Sequence, residues 1–246
     1  MKTGNKKSVK RCHLLKLDLV EYGNAWRLQK RLFNARQSNQ IEDILITLQH
    51  LPTYTLGRRN KKVNHLLTNE NQLKNMGYSI YRVDRGGATT YHGPGQIVCY
   101  PIIGMKPYTE EYCDYLRMLE EVMIRTLLDY KIKSQRIEGY TGVWAGREKI
   151  GFVGVRIGGG ATMHGFSLNV NNDLSPFNMI VPCGIQNVQI TSISKLLNTN
   201  IDIKETTDFI IRNFVDVFRV KNYATTSLKE ILEKIDANKT PQLAQG

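Results

Sequence analysis

Two hydrophobic rhythms, one helical and one strand-like, alternate along the chain and predict an α/β protein. Strand-like alternation follows Arg11. From Tyr22 to Gln37, the positions Trp26, Leu28, Leu32, Phe33 and Ala35 recur at three- and four-residue spacing with charges between them, which predicts an amphipathic helix. Residues 43–49 form a short β-branched and Leu-rich run ending near Pro52, as a strand covered on both faces would read. Residues 78–83 and 96–103 read the same way. The longest helical stripe lies at 110–130, through Tyr112, Leu116, Leu119, Val122, Met123, Thr126, Leu127 and Tyr130, and Cys113 is expected to pack beside it.

Three strand-like runs follow, at 142–145, 149–157 and 164–170, separated by short turns such as Ala145-Gly146-Arg147-Glu148 and expected to form a meander. Helices are expected over 189–197 and 205–218, the latter opened by acidic residues and capped by Thr206 and Thr207. Residues 236–246 are polar, contain Pro241 and are expected to fray. With no repeat, low-complexity linker or second core, 1–246 reads as a single α/β domain with a mixed, largely antiparallel sheet and flanking helices.

Composition narrows the function classes. No apolar run approaches the roughly 20 residues of a membrane span, so neither a membrane protein nor a membrane partner is expected. The Lys-rich N-terminus lacks the apolar stretch of a secretory signal, and a mitochondrial presequence fits it less well than a bacterial cytoplasmic protein. Cys12, Cys99, Cys113 and Cys183 lie far apart with no CxxC pair, so neither a metal clip nor a disulfide framework is suggested. The formal net charge of +12 would speed encounter with an acidic partner. Nucleic acid is one such partner, but the basic residues are dispersed apart from Arg58, Arg59, Lys61 and Lys62, and a solvated charged face explains them equally well.

Two segments carry candidate chemistry. Residues 85–96, RGGATTYHGPGQ, hold four glycines and a proline with Arg85, Thr89, Thr90 and His92, polar side chains that are costly to bury without a ligand or internal partners. A binding loop and a plain tight loop are both open. In Val181-Pro182-Cys183-Gly184-Ile185 a thiol stands between proline and glycine, either as a small hydrophobe in a turn or as a nucleophile with little steric cover. A thiol of pKa ~8.5 needs a base or cation nearby to attack as thiolate, and Lys149, His92 and His164 are the candidates. Lys149 opens an apolar strand, where it is either a desolvated proton carrier or a snorkelling strand-end lysine.

Three ordered blocks decide between these readings. RGGATTYHGPGQ at 85–96, TGVWAGREKIGFVGVR at 141–156 and HGFSLNVNNDLSPFNMIVPCGI at 164–185, with PTYTLG at 52–57 upstream, resemble the lipoate-protein ligase B family over roughly residues 43–194. The spacing of Lys149 from Cys183 is also that family's. The resemblance implies the fold of the biotin and lipoate protein ligase catalytic domains. It also implies transfer of an octanoyl group from octanoyl-acyl carrier protein to a lysine of a lipoyl domain, those of 2-oxoacid dehydrogenase complexes or the glycine cleavage H protein. Cys183 would carry the acyl group as a thioester, and Lys149 would be its acid–base partner. Arg85, Gly86, Gly87, Ala88, Thr89, Thr90, Tyr91 and His92 would bind the acyl substrate, completed by Phe152, Val153, Gly154, Gly165, Phe166 and Ser167. No cofactor or metal is implied, and a monomer is expected.

The apolar tunnel for the acyl chain is expected to be walled by Tyr91, Phe152, Val153 and Phe166, and the oxyanion to be met by backbone N–H groups near Cys183 or the Arg85 loop. One departure from the family is Gly158-Gly159-Gly160, where many members have a basic or bulky pair, and a looser loop is expected there. Two rivals stand: an ATP-dependent lipoate or biotin ligase, which would need no nucleophilic cysteine, and a non-catalytic nucleic-acid-binding protein drawn by the net charge.

Overall fold

A computed structural model describes residues 11–61 and 65–237. The elements are, in order, β1 (Arg11–Val20), α1 (Tyr22–Gln37), β2 (Asp43–His50), β3 (Thr53–Leu56), α2 (Glu70–Asn75), β4 (Ser79–Arg82), β5 (Thr89–His92) and β6 (Gln96–Ile102). There follow α3 (Tyr112–Asp129), β7 (Gln135–Ile137), β8 (Tyr140–Ala145), β9 (Glu148–Gly158), β10 (Ala161–Asn169), α4 (Ile193–Leu197), α5 (Ile203–Phe218), β11 (Asn222–Thr225) and α6 (Leu228–Ala237). Eight strands form one sheet in the order β11-β1-β2-β6-β10-β9-β8-β7, parallel only where β1 meets β11 and β2. A second sheet, β4-β3-β5, is mixed.

Central strands are apolar on both sides because both sides are covered. In β6, Ile97 and Cys99 join the core beneath α3 and α5, whereas Val98, Tyr100 and Ile102 join the core beneath α1 and α6. That is the physical content of the unbroken run at 96–103. Beneath α3 and α5 the sheet buries Tyr115, Leu119, Met123, Phe214 and Phe218, each such side chain contributing about 1.5–3 kcal/mol of burial. A third cluster, with Tyr54, Tyr91, Phe152 and Phe177, joins the small sheet to the large one. Among the described residues, no helix is long and apolar enough to cross a membrane.

The meander β8-β9-β10 forms as the sequence predicts, but four expectations need correction. Cys113 is exposed, because it lies about 200° around α3 from Tyr115, which leads the buried stripe. The helix expected over 189–197 begins only at Ile193, with the Ser192 side chain accepting from the Lys195 N–H (3.2 Å). Residues 189–191, rich in β-branched side chains, instead run alongside β9. The helix expected at 205 starts at Ile203, because Asp202 accepts from the backbone N–H of Lys204 and Glu205, while the Thr206 and Thr207 hydroxyls bond carbonyls inside the first turn. The Gly158-Gly159-Gly160 loop is tight rather than loose. Gly159 (φ 52°) and Gly160 (φ 74°) form a two-residue turn between paired Gly158 and Ala161, a conformation that glycine adopts without steric cost. The Gly158 carbonyl accepts from Gln37 Nε2 (2.8 Å) and the Gly160 carbonyl from the Met105 N–H. Of the tail expected to fray, Asp236 and Ala237 end α6, and residues 238–246 lie outside the described residues, as do residues 1–10.

Candidate active site

The strand period sorts the glycine-rich segment into two faces. In β5 the side chains of Thr90 and His92 line a cavity of about 250 Å³, while Tyr91 turns the other way. Tyr91 packs at ring-centroid distances of 5.4 Å from Tyr54 and 5.6 Å from Phe177, so it is not a wall of the cavity. Ala88 and Thr89 do not line it either. They fasten its rim: the Thr89 carbonyl accepts from the Cys183 N–H (2.9 Å), and the Ala88 carbonyl accepts from the Gly57 N–H (3.0 Å). The other residues expected at the substrate do line the cavity: Arg85, Gly86, Gly87, Phe152, Val153, Gly154, Gly165, Phe166 and Ser167, together with Cys183.

Cys183 is half-buried in a turn held by hydrogen bonds from Gly184 to Val181 and from Ile185 to Pro182. Its φ of +56° is left-handed, a backbone region rare for residues with a side chain, and a residue held in such strain is a candidate for function. Cys12 and Cys99 are buried, and burial pushes both thiols well above the ordinary range. Cys183 is the one thiol that opens onto the cavity.

Lys149 is fully buried at the start of β9, so it is not a snorkelling strand-end residue. Its backbone is clamped by residues 189–191, donating to the Gln189 carbonyl (2.7 Å) and accepting from the Thr191 N–H (3.0 Å). The ammonium donates to the Thr141 carbonyl (2.7 Å) and lies 4.1 Å from the Trp144 ring centroid. Burial lowers the Lys149 pKa, opposed by the charges of Cys183 and Glu120. Arg85 is also buried and donates to the Thr55 carbonyl (2.6 Å), Thr55 Oγ1 (2.8 Å) and the Gly86 carbonyl (2.9 Å). Burial lowers its pKa too, and negative charge on Cys183 counters this. Both cations thus gain from a thiolate at Cys183.

Neither histidine candidate is a free base. His164 bonds Asp84 through Nε2 (2.8 Å), and Asp84 also pairs with Arg156; against the cost of burial, His164 first and Arg156 second hold its carboxyl well below the usual range. His92 bonds Gln96 through Nδ1 (2.7 Å), and its ring lies 5.7 Å from that of His50, which bonds Tyr100. Burial brings His92 down to about 3 and His50 to about 4 from an ordinary 6.5. Both therefore stay neutral in the folded protein while the unfolded chain protonates them below pH 6.5. Stability is fully present above that pH and is lost as pH falls from there toward 4, by up to about 2 kcal/mol per histidine at pH 5. Melting between pH 7 and 5 should therefore steepen with acid, and less so in His50→Gln; an equal slope in both proteins would refute this source of acid sensitivity.

Residues 21–215 match the family model described as the lipoyl protein ligase A/B catalytic domain. The chain belongs to this family. Its relatives include an octanoyltransferase of Caldicellulosiruptor saccharolyticus, 42% identical over 89% of this chain and 93% of that one. Another is the chloroplastic octanoyltransferase LIP2p2 of Arabidopsis thaliana, 36% identical over 93% of this chain and 86% of that one. The family fold is also that of a crystal structure of lipoate-protein ligase A bound with ATP, at a TM-score of 0.73 and 16% identity over 93% of this chain and 92% of that one. A putative lipoate protein ligase from T. acidophilum, with bound lipoic acid, superposes at a TM-score of 0.71 and 14% identity, over 93% and 94% of the two chains.

Several residues that the fold brings to or behind this cavity are not announced by the motifs. Tyr22, Tyr100, Tyr112 and Thr141 line the cavity from four different elements or turns, a convergence that no local motif announces. Glu120 is fully buried behind Lys149. It was detectable, because a carboxylate four residues after Leu116 and three before Met123 falls on the apolar face of α3.

Proposed function

We propose that the protein is an octanoyltransferase of lipoate biosynthesis that carries the octanoyl group on Cys183. The observation that carries this reading is the Cys183 thiol, opening onto the cavity from a strained turn within electrostatic reach of the buried amine of Lys149. Donor and acceptor are octanoyl-acyl carrier protein and a lipoyl domain, in keeping with the activity named for relatives of about 40% identity.

In the first half-reaction, neutral Lys149 takes the Cys183 proton and the sulfur attacks the thioester carbonyl. The tetrahedral intermediate collapses with cleavage of the carrier's C–S bond, and the departing thiolate recovers the proton from Lys149. In the second, the acceptor amine attacks the acyl-enzyme, Lys149 takes the surplus ammonium proton, and Cys183 leaves to be reprotonated. An amide replaces a thioester, so this half-reaction runs downhill.

The N–H groups of residues 183, 184 and 185 are already donated within the protein, which argues against the turn as an oxyanion hole. Thr90 Oγ1 and Ser167 Oγ are buried without a protein partner beside the cavity and are available as donors to the carbonyl oxygen. The cavity of about 250 Å³ has room for one extended acyl chain. Each methylene it covers contributes about 0.8 kcal/mol.

The test is transfer from octanoyl-acyl carrier protein to a lipoyl domain without ATP. Amide formation in nucleotide-free buffer is expected. A strict requirement for ATP would turn the reading to a ligase, and DNA binding without acyl transfer would turn it to a nucleic-acid-binding protein.

A further inference from the structure

The hydrogen bond that holds the Lys149 ammonium continues on the far side of the peptide group it touches. The Thr141 carbonyl accepts from Lys149 Nζ (2.7 Å), and the N–H of the same peptide, that of Gly142, donates to Glu120 Oε1 (2.8 Å). This peptide is free to do so because it lies outside the β8–β9 register, which pairs Val143, Trp144 and Ala145 only. Gly142 is required there: it has φ +127°, and a Cβ would lie 2.5 Å from the Gly151 carbonyl oxygen and 2.8 Å from Lys149 Nζ. Glu120 is itself fixed, its Oε2 accepting from Arg117 Nη1 (2.6 Å) and Arg136 Nε (3.1 Å). Arg136 also bridges to Glu121 (2.7 Å) and to the Arg117 carbonyl (3.0 Å), which ties β7 to α3.

We infer that Glu120 is a positioning residue for Lys149, acting through the single peptide group that joins Thr141 to Gly142. A carboxylate on the N–H side polarises the peptide and makes its carbonyl a stronger acceptor, so aim and charge are transmitted together. The bond orients the amine, and the negative charge favours the ammonium form that burial opposes. The charged groups facing Lys149 are Cys183 from its turn and Glu120 from α3. Those facing Glu120 are Arg117 on its own helix and Arg136 on β7. Neighbouring Glu148 is paired with Lys195. The inference rests on reading Lys149 as the proton carrier for Cys183.

The test is the pH profile of acyl-enzyme formation, measured in single turnovers with octanoyl-acyl carrier protein at low ionic strength. Glu120→Gln keeps an acceptor for Gly142 and removes the charge, so the profile should move toward lower pH by roughly one unit. Arg117→Gln removes a half-exposed cation beside Glu120 and leaves the Gly142 bond in place, so its profile should move the other way. A structural role alone would lower the rate at every pH without moving the midpoint. Midpoints unchanged from wild type in both variants overturn the inference, and if Glu120→Gln does not fold, an unmoved Arg117→Gln profile does so by itself. Wild-type protein that forms no acyl-enzyme overturns the functional reading together with the inference, whereas acyl-enzyme with unmoved profiles overturns the inference only.

Discussion

Cys183→Ala is expected to lose acyl-enzyme formation and octanoyl transfer together, by at least roughly 10⁴-fold, the scale on which removal of a nucleophile acts. Melting should change little. Alanine keeps the Cβ in the left-handed turn, and the Cys183 N–H still reaches the Thr89 carbonyl, so the strain and its restraint both survive. The other thiols supply the contrast. Cys113→Ala is a surface change and should retain full transfer, whereas Cys12→Ala and Cys99→Ala open space in a packed core and should lose stability by about 1 kcal/mol while retaining the chemistry. Transfer at wild-type rate by Cys183→Ala would eliminate the thioester route.

Lys149 offers the second large effect, because the two half-reactions ask different things of it. Lys149→Ala removes the base, and both half-reactions should fall by about 10²–10⁴-fold, the first recovering as pH rises and the thiol ionises unaided. Lys149→Arg keeps a cation beside Cys183 but stays protonated. Acyl-enzyme formation should then partly survive, and discharge to the acceptor amine should suffer more, since that step must shed an ammonium proton at the same place. The wider guanidinium must also fit a fully buried site bounded by Trp144 and the Thr141 carbonyl, so stability should drop as well. Single-turnover rates for the two half-reactions separate these effects. Near-normal rates for both in Lys149→Arg would reduce Lys149 to an electrostatic aid.

The fold was legible wherever one residue pattern met one environment. The run at 96–103 is apolar throughout because both faces of β6 are covered, and the stripe of α3 is apolar because one face is. Legibility failed where distant chain decides. Residues 189–191 read as the start of a helix, yet they supply the edge that clamps the Lys149 backbone, and only the end of β10 at Asn169 opens that place for them. At the site, the resemblance pointed to Cys183 and Lys149 where the residues alone favoured a snorkelling lysine, and the burial of Lys149 removes that simpler reading. Carried over as a block, it also placed Tyr91 at the substrate, where strand alternation would have turned it away from Thr90 and His92. Asp84 and His50 reach the site through long-range pairs that no local spacing encodes, whereas Glu120 stands out as a carboxylate on the apolar face of α3.

A covalent octanoyl group on one sulfur is detectable by mass spectrometry of the intact protein after mixing with octanoyl-acyl carrier protein. The expected result is a mass increase of one octanoyl group, located by proteolysis on the peptide that contains Cys183, labile to hydroxylamine, and discharged when a lipoyl domain is added. Transfer to the lipoyl domain with no such adduct, or an adduct on a peptide that lacks Cys183, would contradict it.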